Sequence, residues 1–212
     1  MRKLPVYLVL DTSTSMGGEP IEAVKVGVQS LLTTLRQDPY ALETAWLSVI
    51  TFDSSATQLT PLTELASFQV PAISAKGSTS LGDALSLLSD CIGREVSMSS
   101  PDSKGDWKPL IFLMTDGAPT DDWQKGWDKL RSTRTGMIIA CAAGLNADTK
   151  VLKSITDNVI QLATADENTI KAFFKWVSAS ISVGSQKVEN GKKEVLGLAE
   201  LPPPPAEIKL IL

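Results

Sequence analysis

Two carboxylates and three hydroxyls stand at three places in the chain, with the residue types that hold a hard metal cation. Asp11-Thr12-Ser13-Thr14-Ser15 brings one carboxylate and two hydroxyls into a short run. Thr79 lies in Gly77-Ser78-Thr79-Ser80-Leu81, and the second carboxylate, Asp116, in Thr115-Asp116-Gly117. Mg2+ takes about six oxygen ligands at ~2.0–2.1 Å and keeps several waters. A set rich in hydroxyls supplies oxygen with little charge, and a pair of carboxylates balances a divalent ion without quenching it as a Lewis acid. An Asp or Glu from a partner protein could then complete the shell. Mn2+ and Ca2+ accept the same ligands, so residue types make Mg2+ the leading candidate without deciding the metal. Each piece also has a plainer use: Asp11, Ser13 and Ser15 suit a turn and helix cap, Thr79 an N-cap, and Asp116 a turn before Gly117. The agreement of three separate segments favours the metal.

Composition removes several other chemistries. The 212 residues contain no histidine, which excludes a His-based triad, a His ligand and a His general base. The two cysteines, Cys91 and Cys141, fall in apolar stretches and read as buried reduced thiols, too few for a disulfide framework. A net charge of −4 argues against a nucleic-acid groove. The N-terminal apolar run is far short of the roughly 20 residues of a spanning helix, and no signal-type cleavage site follows it. No membrane partner and a cytoplasmic location are the expectation. A Mg2+-dependent phosphohydrolase using Asp11 as nucleophile is the competing function. The haloacid-dehalogenase pattern needs a second Asp two positions on, where Ser13 cannot act as a general acid at neutral pH. A phosphate-binding loop with Lys is also missing. The expectation is therefore a binding module and not an enzyme, with a scaffold carrying an empty site as the third reading.

The elements that must position these groups can be read from periodicity. Residues 5–10 (PVYLVL), 46–52 (WLSVITF), 109–114 (PLIFLM), 137–143 (MIIACAA) and 159–162 read as buried parallel strands, and residues 57–62 as an antiparallel edge strand. Ile21, Val24, Val28, Leu31, Leu32 and Leu35 fall at helical spacing behind Pro20. Leu81, Leu85, Leu88 and Ile92 form a second helical stripe, with Ser80-x-x-Asp83 resembling a capping box. Trp123, Trp127 and Leu130 suggest a short helix, with the tryptophans read as core and a partner-facing patch as the alternative. Val151, Leu152 and Ile155 mark a small helix. Ile170, Phe173, Phe174, Val177 and Ile181 mark the last, with Thr164-x-x-Glu167 as its cap. Asp121 and Asp122 read as caps, Asp53 as a turn residue and Asp83 as a first-turn acid; residues 94–108 read as a surface loop.

Strands alternating with helices predict an α/β, doubly wound, mostly parallel six-stranded sheet with helices on both faces and one antiparallel edge strand. In such sheets ligands gather outside the carboxyl ends of the strands, where strand order reverses. The three polar segments belong to that edge, with the first and fourth strands as neighbours, and helix N-termini after Ser15 and Thr79 would favour an anion there. Residues 1–183 form this domain. Residues 184–212 form a Pro-containing tail, read either as a polyproline linker or, from alternating Ile208, Leu210 and Leu212, as a strand added to a sheet edge or a filler of a groove.

Asp-x-Ser-x-Ser after the first strand, Thr in Gly-x-Thr-x-Leu, and Thr-Asp-Gly after the fourth strand resemble the metal-ion-dependent adhesion site (MIDAS) of von Willebrand A (VWA) domains. The resemblance spans about residues 4–182. It implies that Ser13, Ser15 and Thr79 ligate the metal directly, with Asp11 and Asp116 often acting through water. A narrower likeness rests on Leu-Pro-Val-Tyr-Leu-Val-Leu-Asp, Gly-Glu-Pro-Ile-Glu-Ala-Val, Arg-Gln-Asp-Pro-Tyr-Ala-Leu-Glu, Leu-Met-Thr-Asp-Gly and Phe-Phe-Lys-Trp-Val-Ser. These stretches are similar to bacterial TerY-like proteins of tellurium-resistance and stress-response systems. That likeness implies a PP2C-type, metal-dependent Ser/Thr phosphatase and a protein kinase as partners. Some relatives carry a C-terminal cysteine-rich zinc module; this chain lacks those cysteines.

Overall fold

The computed structural model describes residues 2–191, 194 and 197–211. Five strands run parallel: β1 (Leu4–Asp11), β2 (Ala45–Phe52), β4 (Leu110–Thr115), β5 (Ile138–Ala143) and β6 (Val159–Leu162). β3 (Ala56–Glu64) returns antiparallel on β2. The sheet has seven strands, not the expected six, in the order β3-β2-β1-β4-β5-β6-β7. The additional strand comes from the tail: β7 (Ile208–Ile211) pairs antiparallel with β6, so both edges of the sheet are antiparallel. Of the alternating tail residues, Ile208 and Leu210 lie in β7, while Leu212 lies outside the described residues.

The helices are α1 (Glu19–Gln37), α2 (Pro39–Thr44), α3 (Leu81–Glu95), α4 (Trp123–Leu130), α5 (Thr149–Ile155) and α6 (Glu167–Gln186). Alternation along β1 divides the core. Leu4, Val6, Leu8 and Leu10 face α1 and α6, where Val24, Val28, Phe173, Phe174 and Val177 close one layer. Tyr7 and Val9 face the other way, onto Leu81, Leu85 and Leu88 of α3, Leu130 of α4 and Leu152 of α5. Trp123 and Trp127 are half-buried at the margin of this second layer, and Cys91 and Cys141 are buried free thiols.

Two caps differ from their sequence expectation. Ser80 makes no side-chain cap on α3; instead Asp121, from the loop before α4, accepts from the amides of Gly82 and Asp83, each at 2.9 Å. Asp83 turns outward to accept from Ala56 N at 2.6 Å. On α6 the cap is Asp166, which accepts from Thr169 N at 2.9 Å, while Thr164 donates its hydroxyl to Asp166. In both places a carboxylate displaces a hydroxyl, since hydrogen bonds to a charged acceptor are the stronger ones. The sequence reading also passes over α2. Six residues are too few to show a helical period, although Asp38 caps it through Tyr40 N and Ala41 N, and Pro39 follows at its first position.

α6 runs to Gln186, past the expected boundary at 183. The chain then returns across α6, where Trp176 Nε1 donates to Pro202 O at 2.8 Å and Leu201 is buried, before entering β7. The prolines thus lie along a helix and lead into the sheet edge. Among the described residues no helix is long and apolar enough to cross a membrane.

Candidate metal centre

β1 and β4 are neighbours, and α1 and α4 leave them toward opposite sides of the sheet, so their carboxyl ends form the point at which strand order reverses. The register that sets Leu10 beside Met114 carries on to place Asp11 beside Thr115. There Thr115 Oγ1 donates to Asp11 Oδ2 at 2.5 Å. Asp11 Oδ1 accepts from Ser13 N at 2.8 Å, which bends the chain just after β1 and turns both serines toward β4. Ser13 Oγ lies 3.0 Å from Ser15 Oγ, and Ser15 Oγ donates to Asp116 Oδ1 at 2.8 Å. Asp11, Ser13, Ser15 and Asp116 therefore form one continuous hydrogen-bonded set, spanning 105 positions of sequence from Asp11 to Asp116.

The segment bearing Thr79 is stitched onto this set by backbone. Lys76 N donates to Thr12 O at 2.8 Å, and Thr14 N donates to Gly77 O at 3.0 Å. Gly77 has φ +69°, a conformation L side chains rarely adopt, and a side chain there would collide with Ser54 Oγ. Thr79 is buried and held by Thr120 through Thr79 N to Thr120 Oγ1 at 3.2 Å and Thr120 N to Thr79 O at 2.9 Å. Its hydroxyl faces the Asp116 turn, since a Cβ on Gly117 would stand 3.5 Å from Thr79 Oγ1. All five residues singled out from the sequence thus reach the same edge, and Asp53, Asp121 and Asp122 serve as turn and cap residues. Thr115 and Thr120 are the supporting residues the sequence reading passed over. Thr115 had a signal: a hydroxyl one residue before Asp116, level with Asp11 if the first and fourth strands pair.

Burial pushes the Asp11 carboxyl above the usual carboxylate range; bonds from Ser13 and Thr115 pull it back, and the Asp116 charge pushes it further up. Burial likewise raises Asp116, against the bond from Ser15. Two desolvated carboxylates close together are an arrangement that a cation relieves. The donor set is oxygen throughout, which suits a hard divalent ion. Among the described residues no group of three or more His, Cys, Asp or Glu side chains gathers, so a cation at this edge would depend on the hydroxyls. The amides of the first turn of α3 are already answered by Asp121, which leaves that helix end less to offer an incoming anion than its position suggests.

The family model for the von Willebrand factor type A domain matches residues 6–176, and the chain belongs to that family, whose members often mediate protein–protein interaction. Solved structures share the fold at low identity. A von Willebrand factor type A protein from Catenulispora acidiphila superposes with a TM-score of 0.66 at 18% identity, covering 85% of this chain and 43% of that one. Proximal thread matrix protein 1 from the mussel byssus gives 0.62 at 19% identity, covering 84% and 48%. The pilus adhesin SpaC from Lactobacillus rhamnosus GG gives 0.66 at 15%, covering 86% and 31%. The chain spans less than half the length of these proteins. No curated protein matches it by sequence.

Proposed function

We propose that this domain is a metal-dependent protein-binding module, and that its partner contributes an Asp or Glu. The observation that carries the reading is the convergence of Asp11, Ser13, Ser15, Thr79 and Asp116 at one sheet edge, on hydrogen bonds that join both strand ends. Ser13, Ser15 and Thr79 would hold the cation, most simply Mg2+, with Asp11 and Asp116 behind them. Bound there, the ion would supply a Lewis-acid position open to a carboxylate. The chain's own part is to hold the hydroxyls in place before the partner arrives: Asp11 orients Ser13, Asp116 orients Ser15, and Thr120 orients the backbone of Thr79. Preorganisation of this kind lowers the ordering cost of binding.

The same geometry favours binding over phosphoryl chemistry. Asp11 is wholly buried, and its two oxygens are oriented by Ser13 N and Thr115 Oγ1, which favours a role in holding the loop over one as a nucleophile that must reach a phosphate ester. The TerY-like stretches extend the proposal to a bacterial tellurium-resistance or stress complex in the cytoplasm, with a PP2C-type Ser/Thr phosphatase and a protein kinase as partners.

Calorimetric titration with Mg2+ tests the reading. The wild-type chain should give a saturable signal, and the Ser13→Ala, Ser15→Ala double variant should give none. Absence of a signal from the wild type, with Mn2+ and Ca2+ tried as well, would leave a scaffold with an empty site. Partner capture that persists in EDTA and in the double variant would separate binding from the metal.

A further inference from the structure

Where the other helices of this domain carry a side-chain cap, it comes from the residue at their own start: Asp38 on α2, Asp122 on α4, Asp148 on α5 and Asp166 on α6. α3 is different. Its first amides, Gly82 N and Asp83 N, are taken by the two oxygens of Asp121, which lies 39 and 38 positions further along the chain. A local cap steadies one helix. A cap brought in from elsewhere also fixes where that helix stands. Asp121 follows Asp116 closely and Gly82 follows Thr79 closely, so these bonds join the two segments that carry Asp116 and Thr79.

Two further contacts bolt the same segments together. Thr120 bonds to Thr79 in both directions, accepting from Thr79 N at Oγ1 and donating from its own amide to Thr79 O. Beyond it, α3 and α4 meet backbone to backbone: a Cβ on Gly82 would stand 2.5 Å from Asp122 O, and one on Gly126 would collide with Gly82 O. None of these contacts uses the Thr79 hydroxyl or the Asp116 carboxylate; they set only how far apart the two stand. That separation matters for the choice of ion. Mg2+ demands near-ideal octahedral geometry at about 2.0–2.1 Å, whereas Ca2+ accepts looser shells at about 2.3–2.6 Å. Ligands that cannot drift apart favour the smaller ion.

We propose that Thr120 and Asp121 form a clamp of positioning residues that holds Thr79 and Asp116 at a fixed separation and so makes the site select Mg2+ over Ca2+. The clamp rests on the metal-dependent reading above and is tested so that the two can fail separately. The full chain is titrated calorimetrically with Mg2+ and, separately, with Ca2+, and the wild type should bind Mg2+ the more tightly. Asp121→Ala should weaken Mg2+ by about tenfold, the lower end of what losing a group that orients metal ligands costs. Ca2+ should lose less, so the affinity ratio moves toward Ca2+. Asp121→Asn, which keeps one acceptor oxygen, should recover part of the Mg2+ affinity. Thr120→Val should move the ratio the same way, and it carries the test if Asp121→Ala fails to fold. Asp38→Ala is the control for lost capping alone. It uncaps α2, which leads into the start of β2, at the end of the sheet away from Asp11. It should lower thermal stability and leave both affinities unchanged. A wild type that binds Ca2+ as tightly as Mg2+ overturns the clamp alone. So do equal losses for the two ions, unchanged affinities in the clamp variants, or the same shift in Asp38→Ala. A wild type that binds neither ion overturns the metal reading and the clamp with it.

Discussion

Two buried aspartates stand at opposite ends of the β1–β4 pair, and they have been put to different uses. Asp106, just before β4, is 5% exposed. Its Oδ1 accepts from Lys3 N and its Oδ2 from Ser97 N, both at 2.9 Å, so the carboxylate pins the 94–108 loop to the start of β1. Trp107 N adds a bond to Lys3 O at 2.9 Å, and the Arg2 guanidinium lies 3.5 Å from the Trp107 ring centroid. This staple is complete within the chain: the partners of the carboxylate are backbone amides. Asp11 is equally hidden, at 0% exposure, but it accepts from only one amide, Ser13 N; its other partner is the Thr115 hydroxyl, and a second carboxylate, Asp116, is linked to it through the two serines. Burial of a charge is therefore not what distinguishes the end proposed to bind metal. Two amides satisfy the Asp106 carboxylate; Asp11, with one amide, one hydroxyl and a like charge nearby, is the carboxylate that a cation would relieve.

That contrast can be broken by substitution. The largest effect belongs to the staple. Asp106→Ala orphans two amides near the base of the sheet and should lower unfolding free energy in urea by about 2–6 kcal/mol, from roughly 1–3 kcal/mol for each unsatisfied group. Its Mg2+ affinity should stay at the wild-type value; a parallel loss of metal binding would show that the two ends are not independent. The next effect concerns ligand linkage. Mg2+ at about 100 times its Kd should stabilise a site that binds it only when folded by about 2.7 kcal/mol. Thermal unfolding should show this increment in the wild type and in Asp106→Asn, and should show none in Asp11→Asn. The smallest effect is that of Asp11→Asn without metal, which should change stability by less than about 1 kcal/mol. The amide oxygen can still accept from Ser13 N, the Thr115 hydroxyl can turn to accept, and repulsion from Asp116 disappears. A loss as large as that of Asp106→Ala would mean that Asp11 is a staple as well, and would remove the basis for the contrast.

Much of this architecture was legible because it depends on local pattern. The apolar runs and the helical stripe from Ile21 to Leu35 record which face of an element is buried, and the layers follow from that; the alternation in the tail does not, since Ile208 is buried but Leu210 is exposed. Cap chemistry was less legible. Ser80-x-x-Asp83 has the form of a capping box, yet Asp121 takes the amides of α3, because the loop before α4 brings a carboxylate to the same helix end. The seventh strand was one of several uses open to the tail, since short alternation suits an edge, a groove or a linker equally.

With no histidine in it, the sequence alone limited any metal to oxygen or sulfur donors, and it singled out Asp11, Ser13, Ser15, Thr79 and Asp116 as candidates. It also determined the parallel α/β class, through the alternation of buried strands with amphipathic helices. It took the tertiary structure to settle that Asp11 leans on Thr115, that the segment bearing Thr79 is tied to Thr12 and Thr14 by backbone bonds, and that the tail closes the β6 edge. The reason is the range of the interactions. Hydrophobic period and donor type are properties of a residue and its near neighbours, whereas register, capping from a distance and exposure at a rim exist only after strands far apart in sequence have paired.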